Sequence, residues 1–294
     1  MLPRVVILGA GDLATGVAHR LFVSGFAVAC TELAEPRAVR RAASFAQAVF
    51  DGTAEVEGVR AVRTGSAAEA SAAMDAHAAV PVLVDPAGAS VAALGAGVLV
   101  DARLLKRNEG LRRGLAPLVI ALGPGFTAGL DVDAVVETNR GPNLGRVSWD
   151  GAAEPDTGIP APIAGAAAER VLRSPADGAF RARTALGDLV REGDVVAEVQ
   201  SLPVRAAIAG MVRGLLRDGL IVRTGEKLGD IDPRPGASPA SAISDKSRAI
   251  AGGVLEAILT HLARGGAATG AGASTAARGA RPGDGGAAPR GARS

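Results

Sequence analysis

Apolar residues fall in short continuous runs through the first half of the chain. Val5–Leu8 is one run and Phe26–Thr31 a second, with Leu13, Val17 and Leu21 at helical spacing between them, which predicts strand, helix, strand. Pro36–Phe50 reads as a helix carrying Arg37, Arg40 and Arg41 on its early turns. Glu55–Thr64 reads as a hairpin around Gly58, and Ser66–Ala78 as an alanine-rich helix. Val80–Val84, Val98–Val100, Leu118–Leu122 and Ala134–Glu137 then read as buried strands. Uninterrupted apolar runs of this kind suit a mostly parallel sheet covered on both faces. Each run ends in polar residues or glycine, and in such sheets ligands sit beyond the carboxyl ends of the strands.

The second half changes period. Pro175–Val199 aligns with Ala207–Ile231 at a constant offset of 32 residues, matching Gly178 to Gly210, Gly187 to Gly219 and Gly193 to Gly225. Two interlocked β-units with one small core follow from that repeat, a pattern similar to the biotinyl/lipoyl-like barrel-sandwich hybrid. The connection Gln200–Arg205 carries no lysine to modify, and Lys227 lies deep in the second unit, so a swinging-arm carrier is not expected. Ser241–Ala263 returns to helix, capped by Ser244 or Asp245, with Ile250, Val254, Leu255, Ile258, Leu259 and Leu262 as its apolar stripe. Gly252 and Gly253 within it predict close packing on another element. From Gly265 the composition is that of a disordered tail.

The junction after the first strand carries the most chemistry. Gly9-Ala10-Gly11-Asp12-Leu13-Ala14-Thr15-Gly16 is a glycine turn opening a helix, and Glu32 ends the second strand 21 residues past Gly11. Gly9 permits the tight turn, Gly11 lets backbone approach a pyrophosphate, and Ala14 allows close helix–strand packing. An acid at position 32 suits a ribose diol and favours NAD over NADP. Asp12 is awkward beside a phosphate unless it points away or caps the helix.

Composition narrows the partners. Six Phe, one Trp and no Tyr supply no stacking platform for single-stranded nucleic acid. The net charge of +2 is local: Arg278, Arg281, Arg290 and Arg293 against Asp284 contribute +3 after residue 264, leaving −1 elsewhere. Neither a nucleic-acid footprint nor a membrane span is expected, because no stretch of 18 residues is apolar and free of charge. Val5–Leu8 is too short for a signal-peptide core. The single Cys30 fits a reducing cytoplasm and reads as a small buried residue, with a thiol facing a cofactor as the alternative.

Catalytic machinery is sparse. His19, His77 and His261 sit on separate predicted helices, so no metal site is expected. Three clusters at strand ends remain. Asp101–Asn108 offers Arg103 or Lys106 to a phosphate or carboxylate, oriented by Asp101. Gly123, Gly125, Phe126 and Thr127 belong to a loop that is either a second anion cradle or a rigid turn. Glu137, Asn139 and Arg140 bring an acid, an amide and a guanidinium to one strand end. Asp101, Lys106 and Glu137 are the candidates for acid–base work; no tyrosine or placed histidine replaces them. Ser244-Asp245-Lys246 reads as a helix start unless that helix docks on the pocket.

In Gly9–Leu21, Thr31–Arg41, Val98–Asn108, Leu122–Gly151, Ala153–Pro160 and Ile243–Leu259 the chain resembles the selenium-dependent molybdenum hydroxylase system protein family. The likeness runs over about Val5–Leu262. It implies a cytoplasmic accessory protein in the maturation of a molybdenum hydroxylase, and supplies no catalytic residue list.

These readings give an α/β chain: a Rossmann-like, mostly parallel sheet domain over 1–165, and a barrel-sandwich-hybrid module over 166–235. A C-terminal helix over 241–264 packs back on the first domain, and a tail over 265–294 follows. The expected function is maturation of a molybdenum hydroxylase, with NAD or a molybdopterin dinucleotide as ligand and the hydroxylase as client. The alternatives are an NAD-dependent oxidoreductase using Lys106 as proton donor, and an adaptor that binds no ligand.

Overall fold

The computed structural model describes residues 2–156, 158, 163–236 and 239–271, with side chains to 265. The chain runs β1 (Val5–Leu8), α1 (Asp12–Val23), β2 (Val28–Glu32), α2 (Gln47–Asp51), β3 (Thr53–Val56), β4 (Val59–Thr64), α3 (Ala67–Ala76), β5 (Val80–Val84), β6 (Val98–Asp101), β7 (Leu118–Leu122), β8 (Thr127–Ala128), β9 (Ala134–Val136), β10 (Val147–Ser148) and β11 (Gly151–Ala152). It continues with β12 (Val171–Arg173), β13 (Gly178–Ala182), β14 (Leu189–Val190), β15 (Val195–Val199), β16 (Leu202–Arg205), β17 (Gly210–Leu215), β18 (Ile221–Val222), β19 (Lys227–Asp232) and α4 (Asp245–Ala271).

Nine strands form one mixed sheet in the order β10-β9-β7-β6-β1-β2-β5-β4-β3. The pairs from β9 to β4 are parallel, whereas β10 on β9 and β3 on β4 are antiparallel edges. The alternation of strand residues sorts the core. Val5, Ile7, Val28, Cys30, Val100 and Ile120 face α1 and the Ile250, Val254, Ile258 stripe of α4. Val6, Leu8, Ala29, Leu99 and Val119 face α3 and the loops that carry Val91, Leu94 and Leu111. Burial of both faces is what strands without polar alternation require.

The Rossmann-like domain plus barrel-sandwich hybrid expected from sequence is corrected here. The main sheet is mixed, and β5, β6, β7 and β9 follow one another with no helix in between, so helices do not alternate with strands. The connecting segments are interrupted by Gly and Pro, and the apolar residues they bury, such as Val91, Leu94 and Leu111, are carried on turns. Beside the main sheet stand separate antiparallel sheets: β11-β8, β12-β19-β17-β14 and β16-β15-β13-β18. The last two combine the repeat strands with β12 before the first unit and β16 between the units, and β18 of the second unit pairs with β13 of the first while β14 pairs with β17. Gly178 and Gly210 occupy equivalent positions at φ 147° and 158°, each lying where a Cβ would strike a neighbour. Gln200 and Ser201 make the tight turn between β15 and β16 with positive φ.

Two local expectations also change. Pro36–Phe50 is mostly loop, with only a short 3₁₀ turn at Arg41–Ala43 and α2. Its arginines reach across instead of facing water: Arg37 to Glu226, Arg41 Nε to Leu215 O (3.0 Å), and Arg40 Nη2 to Ala242 O (2.8 Å). At the other end α4 continues to Ala271, past the expected 264. Two units are distinguished, Met1–Ile258 and Leu259–Ser294; in the second, the described part is helix to Ala271, and the rest of the expected tail lies outside the described residues. No helix among the described residues is long and apolar enough to cross a membrane.

Candidate functional site

The turn between β1 and α1 is held from behind. Gly9 takes φ 98°, and Gly11 caps α1 without any side-chain hydrogen bond to the first turn. Ala10 O accepts from Ser44 Oγ (2.8 Å), Thr15 Oγ1 (3.1 Å) and Ala46 N (2.8 Å), while Phe45 N donates to Thr15 Oγ1 (2.8 Å). Ala10, Ala14 and Thr15 are therefore buried supports of the turn, not part of its surface.

In front of the turn lies a cleft of about 290 Å³ lined by Gly9, Gly11, Asp12, Leu13, Glu32 and Arg103, among others. Glu32 Oε2 accepts from Ala10 N and Oε1 from Leu33 N, both at 2.8 Å. Burial raises the pKa of this carboxyl, and the two N–H groups oppose the rise. Each oxygen keeps further acceptor capacity. Asp12, the awkward acid, lies with Oδ2 3.7 Å from Arg40 Nη1, so a cation faces it.

A second cleft, of about 390 Å³, shares Asp12, Leu13 and Leu104 with the first. Glu137, Asn139 and Arg140 line it, yet each is already engaged. Glu137 is buried and accepts from Thr138 N, Asn139 N and Glu154 N at 2.6, 2.6 and 2.7 Å. Asn139 donates to Glu154 Oε2 (2.6 Å), and Arg140 clamps Asp245 with two bonds of 2.7 and 2.8 Å. That clamp holds the Asp245 carboxyl well below the usual range.

The proposed acid–base candidates do not meet. Asp101 is buried and holds Arg103 through Nε (3.1 Å), Nη2 (2.6 Å) and the backbone N (3.0 Å). Lys106, in a turn of positive φ, pairs instead with Asp156 at 2.6 Å. Gly123, Gly125, Phe126 and Thr127 line neither cleft. Gly123 N donates to Val136 O and Thr127 N to Asp131 Oδ2, both at 2.9 Å, and Gly125 packs against the Lys106–Arg107 backbone. The loop is thus a rigid turn in which two N–H groups are already bonded. Cys30 is fully buried, and desolvation pushes its thiol far up, which leaves it inert. Among the described residues no group of three or more His, Cys, Asp or Glu could hold a metal ion.

Sequence reasoning missed Arg213 and Asp230, which reach the second cleft from the second repeat unit, and Arg170, which reaches it from just before β12. The available signal was a charge inside an apolar strand, Met211-Val212-Arg213-Gly214-Leu215. Lys246 was seen only as part of a helix start; α4 does dock beside the turn, with Ser247 Oγ donating to Asp12 O (2.8 Å).

No family model matches the chain. It is 50% identical over 265 residues to the uncharacterized protein YqeB of Escherichia coli (strain K12), across 90% of the chain and 49% of that protein. The chain thus spans about half the length of this relative. Among solved structures it is similar to an aspartoacylase family protein of Mesorhizobium loti, with 12% identity, TM-score 0.28, and coverage of 80% of this chain and 87% of that one. A succinylglutamate desuccinylase of Silicibacter sp. TM1040 gives 14%, 0.24, 78% and 85%. Superpositions this loose say nothing of the chain's chemistry.

Proposed function

We propose that the chain is an accessory protein for maturation of a molybdenum hydroxylase, and that it holds a nucleotide-bearing ligand in the cleft at Gly9–Leu13. The observation that carries the binding half is that an uncapped helix N-terminus and Glu32 line one cleft side by side. Phosphate oxygens accept from first-turn N–H groups, which the helix dipole favours. A ribose diol donates to the Glu32 carboxylate. The resemblance over Val5–Leu262 supports the maturation half and the hydroxylase as client. NAD and a molybdopterin dinucleotide both carry the required pyrophosphate and ribose.

An oxidoreductase needs a proton donor beside the reacting carbon, and the engagement of Asp101 by Arg103 and of Lys106 by Asp156 favours the accessory reading. Calorimetric titration with NAD, NADP and a molybdopterin dinucleotide tests it. Binding of a dinucleotide without turnover at 340 nm is expected. Binding of none of the three contradicts the reading, and steady NAD turnover on a metabolite replaces it with the oxidoreductase.

A further inference from the structure

The second cleft gathers cations whose nearby acids are already committed. Arg40 and Arg213 both line it with side chains only 10% exposed. Arg213 Nη1 donates to Asp232 Oδ2 (2.7 Å), and Arg40 Nη2 to the carbonyls of Ala240 (3.3 Å) and Ala242 (2.8 Å); the Nε of each is buried without a partner. The positive charge of Arg213 is felt at Arg40.

Lys246, from the first turn of α4, lines the same cleft. Among the described residues no carboxylate lies within 4.0 Å of its Nζ. Burial lowers its pKa, as does Arg140, while Asp12, Glu137 and Asp245 act against the fall. Of the acids on the wall, Asp12 faces Arg40 at 3.7 Å, Glu137 accepts from three backbone N–H groups, Glu154 accepts from Asn139 and Asn143, Asp156 pairs with Lys106, and Asp230 pairs with Arg170 (3.3 Å) and Lys227 (3.5 Å). Arg213 has Asp232 and Arg40 the more distant Asp12, but the half-buried Lys246 ammonium beside them has no paired carboxylate among the described residues, which is costly without a counter-charge.

We infer that the second cleft is a binding site for a phosphorylated group, held by Lys246 together with Arg40 and Arg213. The site adjoins the Glu32 cleft, sharing Asp12, Leu13 and Leu104 with it, but does not depend on a dinucleotide occupying that cleft. Two sources share this chemistry: a distal phosphate of the ligand in the first cleft, or a separate phosphoanion.

The test is titration of the full chain with inorganic pyrophosphate in phosphate-free buffer. The variants are Lys246→Met, Lys246→Arg and, as a remote loss of one positive charge, Arg183→Gln. Lys246→Met is expected to weaken pyrophosphate by about tenfold or more, since a charge-assisted bond is lost. Lys246→Arg retains most of the affinity, and Arg183→Gln leaves it unchanged. Circular dichroism and the melting temperature establish that each variant is folded. No binding by the wild type, or equal binding by Lys246→Met, overturns the inference; neither result bears on dinucleotide binding, which is read in its own titration. Adding NAD to the pyrophosphate-loaded protein separates the sources. Competition assigns the site to the ligand's own phosphates, additive binding to a second molecule, and both presuppose the site.

Discussion

Replacing Thr15 by valine separates the support of the glycine turn from its ligand surface. The Thr15 hydroxyl is fully buried, accepts from Phe45 N and donates to Ala10 O. Valine keeps the shape but offers no acceptor. Ala10 O retains Ser44 Oγ and Ala46 N, so it stays satisfied. The Phe45 N–H is left buried and unpaired, which costs about 1–3 kcal/mol, and the added methyl returns somewhat less than 1 kcal/mol. The net loss is about 1 kcal/mol. With a urea m value of about 3 kcal/mol/M, the midpoint falls by about 0.4 M at constant m. Thr15→Ser keeps the hydrogen bond, loses one methyl and costs about 1 kcal/mol. Dinucleotide affinity of the folded Thr15→Val protein is unchanged. Equal stability of Thr15→Val and wild type refutes the support role, and lost affinity at unchanged stability makes Thr15 a ligand contact.

Other outcomes follow from the packing and the charges. A methyl at Gly253 meets Gly145 O and the Val136 side chain, so Gly253→Ala lowers the melting temperature, whereas Gly252→Ala, with open space, does not. Asp232 is buried between Arg213 and Arg234, and its pKa is lowered to about 2. A depressed carboxyl stabilises the fold above its unfolded value near 4. About 2 kcal/mol is therefore lost as pH falls from about 4 to 2. Asp232→Asn should flatten that part of the acid-unfolding curve. Cys30 should resist a thiol reagent in the folded protein and react fully in denaturant; reaction at native conditions places it on an accessible surface.

Much of the local structure was legible because it is written in runs and turns. The strands Val80–Val84 and Leu118–Leu122 and the hairpin around Gly58 are short-range patterns, and the offset of 32 residues marks equivalent strands in both repeat units. The arrangement of those units was not legible. Sheet composition depends on which strands pair at long range, as with β18 on β13, and no local pattern encodes that. The Pro36–Phe50 segment shows the same limit. Its apolar spacing suits a helix, but Arg37, Arg40 and Arg41 gain partners nearly two hundred residues away, and the loop that reaches them prevails. Of the site, the turn and Glu32 were visible because sequence spacing defines them. The second cleft was not, since Arg213 and Lys246 come from different segments and only folding brings them to one wall.

The pairing of Glu32 with the glycine turn is the central claim, and the ratio of dinucleotide dissociation constants for Glu32→Ala and wild type measures it. Loss of a charge-assisted bond to ribose predicts weakening by about tenfold or more in a folded variant. Equal affinity in the two proteins contradicts it.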